Sequence, residues 1–310
     1  MFLRDEEAMN YFAGVTLLTF PGLGIYLGTW GAIWEMLILL AVFLFGRRRG
    51  LVMTMVLVSI GYAVPLIIFG GTVFNQITLV PLAGLLGVFG WQRRWPVNVT
   101  FFWSALVVAV LGAIPTLSFL TQGFDSKVIN DMINSAIQQY DASGLLTVIQ
   151  QQGMTEGQIR DSLQQVIHFF GLIIPSLSAI VALAEYGLVF YVVRRWFKDE
   201  EPIPFIYWRL PWYAVWGGIL GIVFYLLGDR FSWSILNGLG INLMVVYGSI
   251  TLVLGVSVYL YMLRSPRIPR VLKFTIILAS FVYFFFSLVS IIMFGLFDLV
   301  FNFRHLPEES

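Results

Sequence analysis

The sequence predicts an all-α protein, a polytopic bundle of transmembrane helices with eight or nine spans. Of its 310 residues, 59% are hydrophobic and only 11% are charged, whereas a soluble domain carries roughly 25% charged residues. Several apolar runs reach about 20 residues, the length at which a helix crosses the ~30 Å hydrocarbon core of a bilayer. The lipid bilayer is therefore the first partner that the composition indicates, and no charge pattern points to nucleic acid.

The predicted spans form an N-terminal group in residues 1–120 and a C-terminal group in residues 166–310. Between them, residues 121–165 are the only long polar segment. The spans are residues 11–27, 30–45, 51–69, 74–90, 97–120, 166–193, 212–227, 235–263 and 271–299. The first two belong to one apolar run of 36 residues, about 54 Å long as a single helix, and we divide it at Gly28–Gly31. If that run is one span, the count falls from nine to eight.

Lysine and arginine residues predict the orientation, because short cytoplasmic loops carry an excess of them. With nine spans, 14 of the 18 lie on one side, and the other side receives only Lys127, Arg160, Arg230 and Arg304. The hinge between the two halves, residues 198–211, is therefore predicted to be cytoplasmic. The polar segment, residues 121–165, is predicted to be extracytoplasmic.

The polar segment is predicted to form amphipathic helices on the outer face. Apolar residues recur at helical spacing within residues 128–140 and again within 159–166. Thr155 followed by Gln158 resembles a capping box at the start of a helix that continues as the next span. Two roles are open for this segment: a helical lid over the bundle, or a gate or partner site.

Three polar residues inside predicted spans are candidate substrate-binding residues: Glu185, Asn242 and Glu35. A polar side chain in the membrane normally faces a partner, a cavity or a ligand. Each has a structural alternative, because a carboxyl or an amide can also join two helices by hydrogen bonds. Glu35, in a short span, could instead reach the outer interface.

Four further residues are predicted to have structural or interface roles. Trp208 and Arg209, in the hinge, have the mixture of charge and aromatic character that is typical of a membrane interface. Asp298 and Arg304 are predicted at the outer end of the last span, where they could pair with each other, bind the outer loop or anchor the helix. The Gly217/Gly221 pair predicts close packing between helices.

The sequence offers no support for an enzyme, a metal site or another cofactor. It contains no cysteine, which excludes disulfides, thiolate metal ligands and cysteine nucleophiles. Neither of the two histidines is followed by another four residues later, as a helical metal site would need. A phosphate-binding loop and a nucleophile elbow are also absent from the sequence, so no catalytic residue is predicted.

Short motifs in the C-terminal half resemble the YybS-like family of bacterial membrane proteins, a domain of unknown function. They are FIYWRLP at residues 205–211, GINL at 240–243, LGVS at 254–257, and GLFD at 295–298 with Phe303 and Arg304. The short spans before residue 121 resemble that family's N-terminal region. The resemblance implies a multi-pass protein of a bacterial cell membrane.

That family is distantly similar to the substrate-binding subunits of energy-coupling-factor vitamin transporters. The similarity implies a helical bundle with a small-molecule pocket toward the outside and an ATPase-containing transporter module as partner. The favoured hypothesis is therefore a small-molecule-binding subunit of a transporter, with Glu185 and Asn242 lining the pocket for the solute. The alternative is a non-transport membrane scaffold or regulator of envelope processes, acting through the polar segment and the hinge.

Overall fold

The structure is a computed structural model that describes residues 6–26, 30–71, 77–197, 203–266 and 268–306. These residues form thirteen α-helices and no β-strand, which confirms the predicted all-α class for this part of the chain. Seven helical stretches among them are long and apolar enough to cross a membrane: residues 7–26, 51–69, 97–116, 156–197, 212–230, 234–264 and 284–301. The first five residues of the predicted hinge, 198–202, lie outside the described residues.

The N-terminal group packs around one apolar core. Its helices are α1 (Glu6–Leu23), α2 (Gly31–Arg49), α3 (Leu51–Phe69), α4 (Gly84–Gln92) and α5 (Val97–Ala113). α1 and α2 are separate helices, as predicted, although residues 28 and 29 of the predicted turn lie outside the described residues. Phe43 of α2 is fully buried and contacts Trp91 of α4, with ring centroids 5.5 Å apart. α2 therefore forms the centre of this core.

The predicted span at residues 74–90 is shorter than a full crossing in the described residues. A 3-10 turn at Val80–Ala83 leads into α4, which ends at Gln92. Residues 80–92 extend about 20 Å as a helix, less than the ~30 Å of a hydrocarbon core. Pro81 is favoured in this first turn because the missing N–H of a proline costs nothing there.

The polar segment is helical, as predicted. It contains α6 (Phe119–Gln122), α7 (Ser126–Ala142), α8 (Leu145–Gln151) and the start of α9. A second apolar cluster, formed by Ile133, Ile137, Ile159 and Ile167, packs α7 against α9. The helices of the polar segment thus bury their apolar faces against each other.

The predicted capping box is confirmed at the start of α9 (Glu156–Phe197). The N–H of Thr155 donates to Oε1 of Gln158 at 2.9 Å, and the N–H of Gln158 donates to Oγ1 of Thr155 at 3.3 Å. α9 has 42 residues and is about 63 Å long, so the predicted span 166–193 is only its middle part. It contacts α2, α5, α7 and α11, and it therefore joins the N-terminal group, the polar segment and the C-terminal group.

The C-terminal group contains α10 (Val215–Arg230), α11 (Ser234–Arg264), α12 (Arg270–Val282) and α13 (Phe284–Phe301). Gly217 of α10 leaves room for the ring of Tyr247, and Gly221 packs against Leu243 and Met244 of α11. The close packing predicted for Gly217 and Gly221 is confirmed.

The prediction of one final span at residues 271–299 was wrong. α12 ends at Val282 and α13 begins at Phe284, with Tyr283 between them at φ −105° and ψ 50°. As a result, Arg304 reaches the hinge, where it donates to the carbonyl oxygen of Ile206 at 2.6 Å. Asp298 and Arg304 therefore lie at the hinge end of the bundle and not at the opposite end. The apolar run contains no proline, and its first glycine is Gly295, so its sequence carries no signal for the break.

The described loops gather at two ends of the bundle. At the hinge end, the guanidinium of Arg47 lies 5.2 Å from the ring centroid of Trp91 and 4.7 Å from that of Phe197. At the other end, the polar segment meets the turn between α10 and α11. Because Arg304 lies at the hinge end, the predicted distribution of lysine and arginine residues between the two sides changes from 14 and 4 to 15 and 3.

Candidate functional site

Glu35 of α2 and Glu185 of α9, which the sequence identifies separately, come together in the N-terminal group. Their carboxyl groups lie within hydrogen-bonding reach of each other, and the side chain of Thr78 is within reach of Glu35. The hydroxyl of Tyr62 donates to the carbonyl oxygen of Thr78 at 2.9 Å. We call Glu35, Glu185, Thr78 and Tyr62 the dicarboxyl site.

The dicarboxyl site lies away from the arginines of the hinge end, with Glu35 about one turn into α2 and Glu185 in the second half of α9. Glu35 precedes Arg47 by 12 residues and Glu185 precedes Arg194 by nine, which places them about 18 and 14 Å from these arginines along the helix axes. Half of a hydrocarbon core is about 15 Å. Because arginines mark the interface, both carboxyl groups are at a depth where one charge costs about 2.5–3.5 kcal/mol.

The dicarboxyl site has the chemistry of a cation or proton site. Both glutamates are half-buried, and Oε1 of Glu35 is buried with no hydrogen-bond partner among the described residues. Two ionised carboxylates at close range repel each other strongly in a medium of low dielectric constant. A proton, a cation or a hydrogen-bond donor between them removes that repulsion.

Asn242 is not part of the dicarboxyl site, because it lies on α11 against the half of α9 that is nearer the polar segment. Its Oδ1 accepts a hydrogen bond from the N–H of Ser176 at 2.7 Å, and its Nδ2 donates to the carbonyl oxygens of Leu172 and Gly238, each at 2.8 Å. In a regular α-helix, Ser176 would itself donate to Leu172. The amide of Asn242 thus replaces one backbone hydrogen bond of α9.

The environment of Asn242 supports the structural alternative that the sequence left open. Both N–H groups of its amide are used within the protein, and Ser176 follows Pro175, which cannot donate a backbone hydrogen bond. Ser176 precedes Glu185 by nine residues, about 14 Å along α9. The three predicted substrate-binding residues therefore do not line one pocket, and solute binding by Asn242 stays a prediction.

A cavity of about 570 Å³ lies at the end of the bundle opposite the hinge, between the polar segment and the turn that joins α10 to α11, and we call it the outer cavity. Ligand pockets typically measure about 300–1,000 Å³. Its polar lining includes His168 of α9, Asp229 of α10 and Asn237 of α11. Leu172, whose carbonyl accepts from Asn242, also lines it, so Asn242 stabilises a wall of this cavity.

At the hinge end, Asp298 and Arg304 form a buried ion pair in which each side chain is 2% exposed. Nη2 of Arg304 donates to Oδ2 of Asp298 at 2.7 Å, and its Nε donates to the same oxygen at 3.0 Å. The pairing that the sequence offered as one alternative is confirmed.

The same guanidinium also binds the hinge and α11. It donates to the carbonyl oxygens of Ile206 at 2.6 Å and Trp208 at 2.8 Å, and to the hydroxyl of Ser257 at 2.8 Å. Ser257 in turn donates to the carbonyl oxygen of Phe205 at 2.6 Å. This network fastens the hinge to α11 and α13.

The two predicted interface residues of the hinge have different environments. The indole N–H of Trp208 donates to the carbonyl oxygen of Ile203 at 3.1 Å. Among the described residues, Arg209 makes only a long hydrogen bond, from Nη1 to the carbonyl oxygen of Leu306 at 3.4 Å, and it faces a pocket of about 360 Å³. Trp208 therefore stabilises the hinge itself, whereas Arg209 faces outward.

Several residues of these sites carry little signal in the sequence. Thr78 and Tyr62 lie in apolar stretches where a single hydroxyl is common, and only the fold brings them to Glu35. Asp229 is recognisable as part of a short outer turn, but its place in the outer cavity depends on the position of α9. Ser257 stands out only as the last residue of the LGVS motif.

Comparison with known families gives one match. A family model described as "Predicted membrane protein (DUF2232)" matches residues 15–299, which include the dicarboxyl site, the outer cavity and Asp298 but not Arg304. No curated protein and no solved structure matches the chain.

Proposed function

This chain belongs to the DUF2232 family of predicted membrane proteins, and we propose that it is a small-molecule-binding subunit of a transporter in a bacterial cell membrane. The observation that carries the proposal is the dicarboxyl site, where two carboxyl groups from different apolar helices lie within hydrogen-bonding reach of each other. Intramembrane carboxyl groups are expensive and typically line ion or solute pathways.

The proposed solute is a cation or a molecule with a strong hydrogen-bond donor. Such a group would lie between Glu35 and Glu185 and remove their mutual repulsion. The outer cavity supports the same function, because its volume of about 570 Å³ suits a small molecule. The resemblance to subunits of energy-coupling-factor transporters adds the expectation of an ATPase-containing module as partner, with the hinge end as its docking face.

The proposed topology has eight crossings. The N-terminus and the hinge are cytoplasmic, the polar segment is extracytoplasmic, and α12 and α13 form a hairpin that enters and leaves the membrane from the cytoplasmic side. The arrangement is supported by Arg47 of α2, which lies over Trp91 of α4 and Phe197 of α9 at the hinge end, and by the contacts of Arg304 with the hinge.

The test compares wild-type protein with a Glu185→Gln variant. Small molecules retained through purification in mild detergent are identified by mass spectrometry, and the affinity of the recovered solute is then measured for both proteins. The amide keeps the shape of the carboxyl group but loses its charge, and the lost charge-assisted hydrogen bond costs about 1.5–3 kcal/mol, roughly ten- to hundred-fold in affinity. We expect Glu35→Gln to have a similar effect.

The matched control is Glu156→Gln, because Glu156 is an exposed glutamate on the same helix that pairs with Arg160. It should leave both thermal stability and affinity unchanged. If Glu185→Gln binds the solute as tightly as wild type, the dicarboxyl site only joins two helices and the proposal fails.

The alternative function, a scaffold or regulator of envelope processes, is supported by the polar face of α7, where Asp131 and Gln138 are exposed. Affinity purification in mild detergent separates the two functions. Recovery of an ATPase-containing module supports transport, whereas recovery of envelope or division proteins without such a module supports the scaffold.

A further inference from the structure

Arg209 carries a charge that no carboxylate neutralises in the part of the chain that the structure describes. Within the described ranges, its Nε–H is buried without an acceptor, and its Nη1 donates only to the carbonyl oxygen of Leu306 at 3.4 Å. Arg304, at the same end of the bundle, has an aspartate, two carbonyl oxygens and a hydroxyl as acceptors. An arginine with a buried, unsatisfied donor has a strong preference for an acidic ligand.

Arg209 faces a pocket of about 360 Å³ between the start of α10 and the end of α13. The pocket is lined by Arg209, Trp212, Val215, Trp216, Val300 and Asn302. The amide of Asn302 is already occupied, because it bonds both the N–H and the carbonyl oxygen of Leu306 at 3.0 and 2.9 Å. Recognition of a charged ligand in this pocket therefore depends on Arg209.

The pocket is open to the lipid-facing side of the bundle. Trp212, Trp216 and Val300 are 57%, 56% and 52% exposed, and α10 has no charged residue before Asp229. Tryptophan side chains prefer the level of the lipid headgroups. The pocket thus has a positive group where the chain enters the membrane and an apolar wall directly below it.

We propose that this pocket binds the phosphate group of an anionic phospholipid. The planar guanidinium of Arg209 matches the oxygens of a phosphate and can donate two parallel hydrogen bonds to them. Trp216 and Val300 then contact the glycerol and the upper acyl chains. A free phosphate in water would gain nothing from this apolar wall, so the wall favours the lipid over a soluble anion. The proposal does not depend on the transport function.

The test uses native mass spectrometry of the full-length protein in mild detergent, titrated with phosphatidylglycerol. Wild type should bind one phosphatidylglycerol more tightly than the others and more tightly than phosphatidylcholine. Arg209→Gln should weaken this site about ten-fold or more, because it removes a charge-assisted hydrogen bond. Arg209→Lys should have an intermediate effect, since an ammonium keeps the charge but not the fork geometry.

Arg264→Gln is the matched control, because Arg264 is exposed at the end of α11 and its loss changes the net charge equally. It should bind phosphatidylglycerol as wild type does. Equal weakening by both variants, or none by Arg209→Gln, would overturn the proposal.

Inorganic phosphate and Trp216→Ala distinguish the lipid from a soluble anion. Trp216 is exposed, so its truncation should be tolerated even if Arg209→Gln does not fold. The lipid site predicts that Trp216→Ala weakens phosphatidylglycerol binding and that millimolar inorganic phosphate does not displace the lipid. Displacement by inorganic phosphate, or phosphatidylglycerol binding unchanged in Trp216→Ala, would contradict a lipid site.

Discussion

Asn242 and Arg304 both act by satisfying backbone groups that belong to other segments. The Asn242 amide is inserted between Ser176 and Leu172 of α9, and Arg304 holds the carbonyl oxygens of Ile206 and Trp208. In lipid an unsatisfied backbone group costs several kcal/mol. Asn242 therefore allows α9 to lose one of its own backbone hydrogen bonds, and Arg304 allows the hinge to have a non-helical backbone at the membrane boundary. These hydrogen bonds to the backbone explain why polar side chains are present at both positions, without any ligand.

Replacing Asn242 with alanine should destabilise the protein. The change leaves the N–H of Ser176 and the carbonyl of Leu172 without partners beside Pro175, at a cost of about 1–3 kcal/mol for a buried unsatisfied group. The measurement is the thermal unfolding temperature in detergent.

Asn237→Ala provides the comparison, because Asn237 lies five residues earlier on the same helix and, among the described residues, its side chain makes only a 3.4 Å hydrogen bond to the carbonyl oxygen of Tyr225. Its stability should stay close to that of wild type. A stable Asn242→Ala variant that loses solute binding would show instead that Asn242 serves the ligand.

Among the helices of the C-terminal group, α11 and α13 approach each other closely at two glycines. A methyl group on Gly255 would overlap the carbonyl oxygen of Ile291, and one on Gly295 would overlap the carbonyl oxygen of Thr251. Two glycines thus let the helices meet backbone to backbone, as small residues do in membranes. This contact also brings the end of α13, with Asp298 and Arg304, to the hinge.

Gly255→Ala should therefore separate α11 from α13 and lower stability by about 1–3 kcal/mol, the usual cost of overpacking a tight contact. Gly248→Ala is the control on the same helix, because nothing lies within 4 Å of the position that its added methyl group would take. Thermal unfolding of both variants in detergent gives the comparison. Equal stability of the two variants would mean that the helices do not approach each other at Gly255.

The elements that could be predicted are those whose ends carry local signals. Thr155 and Gln158 mark the start of α9, and the glycines near residue 28 mark the division between α1 and α2. The break at Tyr283 has no such signal, because aromatic and β-branched residues continue on both sides of it. The predicted span 166–193 is shorter than α9, because hydropathy marks only the apolar part of this helix and not its first turns, which pack against α7.

The candidate site was predictable only in part, for a related reason. Glu35 and Glu185 stand out because a carboxyl group inside an apolar span is rare. That they meet depends on the packing of α2 against α9, which no local pattern shows. Asn242 has the same local signal, yet it lies at a different depth and serves the backbone of α9.

Over the whole molecule, the polar segment and the hinge lie at opposite ends of α9, which begins at Glu156 and ends at Phe197. The turn after α10 lies with the polar segment, and the end of α13 lies with the hinge. The residues from 270 to 306 therefore begin and finish at one end. This arrangement leaves α10 and α11 as the two crossings after the hinge.

Single cysteines introduced into this cysteine-free chain test that arrangement in intact cells. Ser143, Tyr207 and His305 are exposed positions in the polar segment, the hinge and the C-terminal tail. An impermeant thiol reagent should label Ser143→Cys in intact cells, but label Tyr207→Cys and His305→Cys only after permeabilisation. Labelling of His305→Cys together with Ser143→Cys in intact cells would mean that residues 271–299 cross the membrane as a single final span. Labelling of Tyr207→Cys and His305→Cys in intact cells, without labelling of Ser143→Cys, would agree with the hairpin but would show that the protein has the opposite orientation in the membrane.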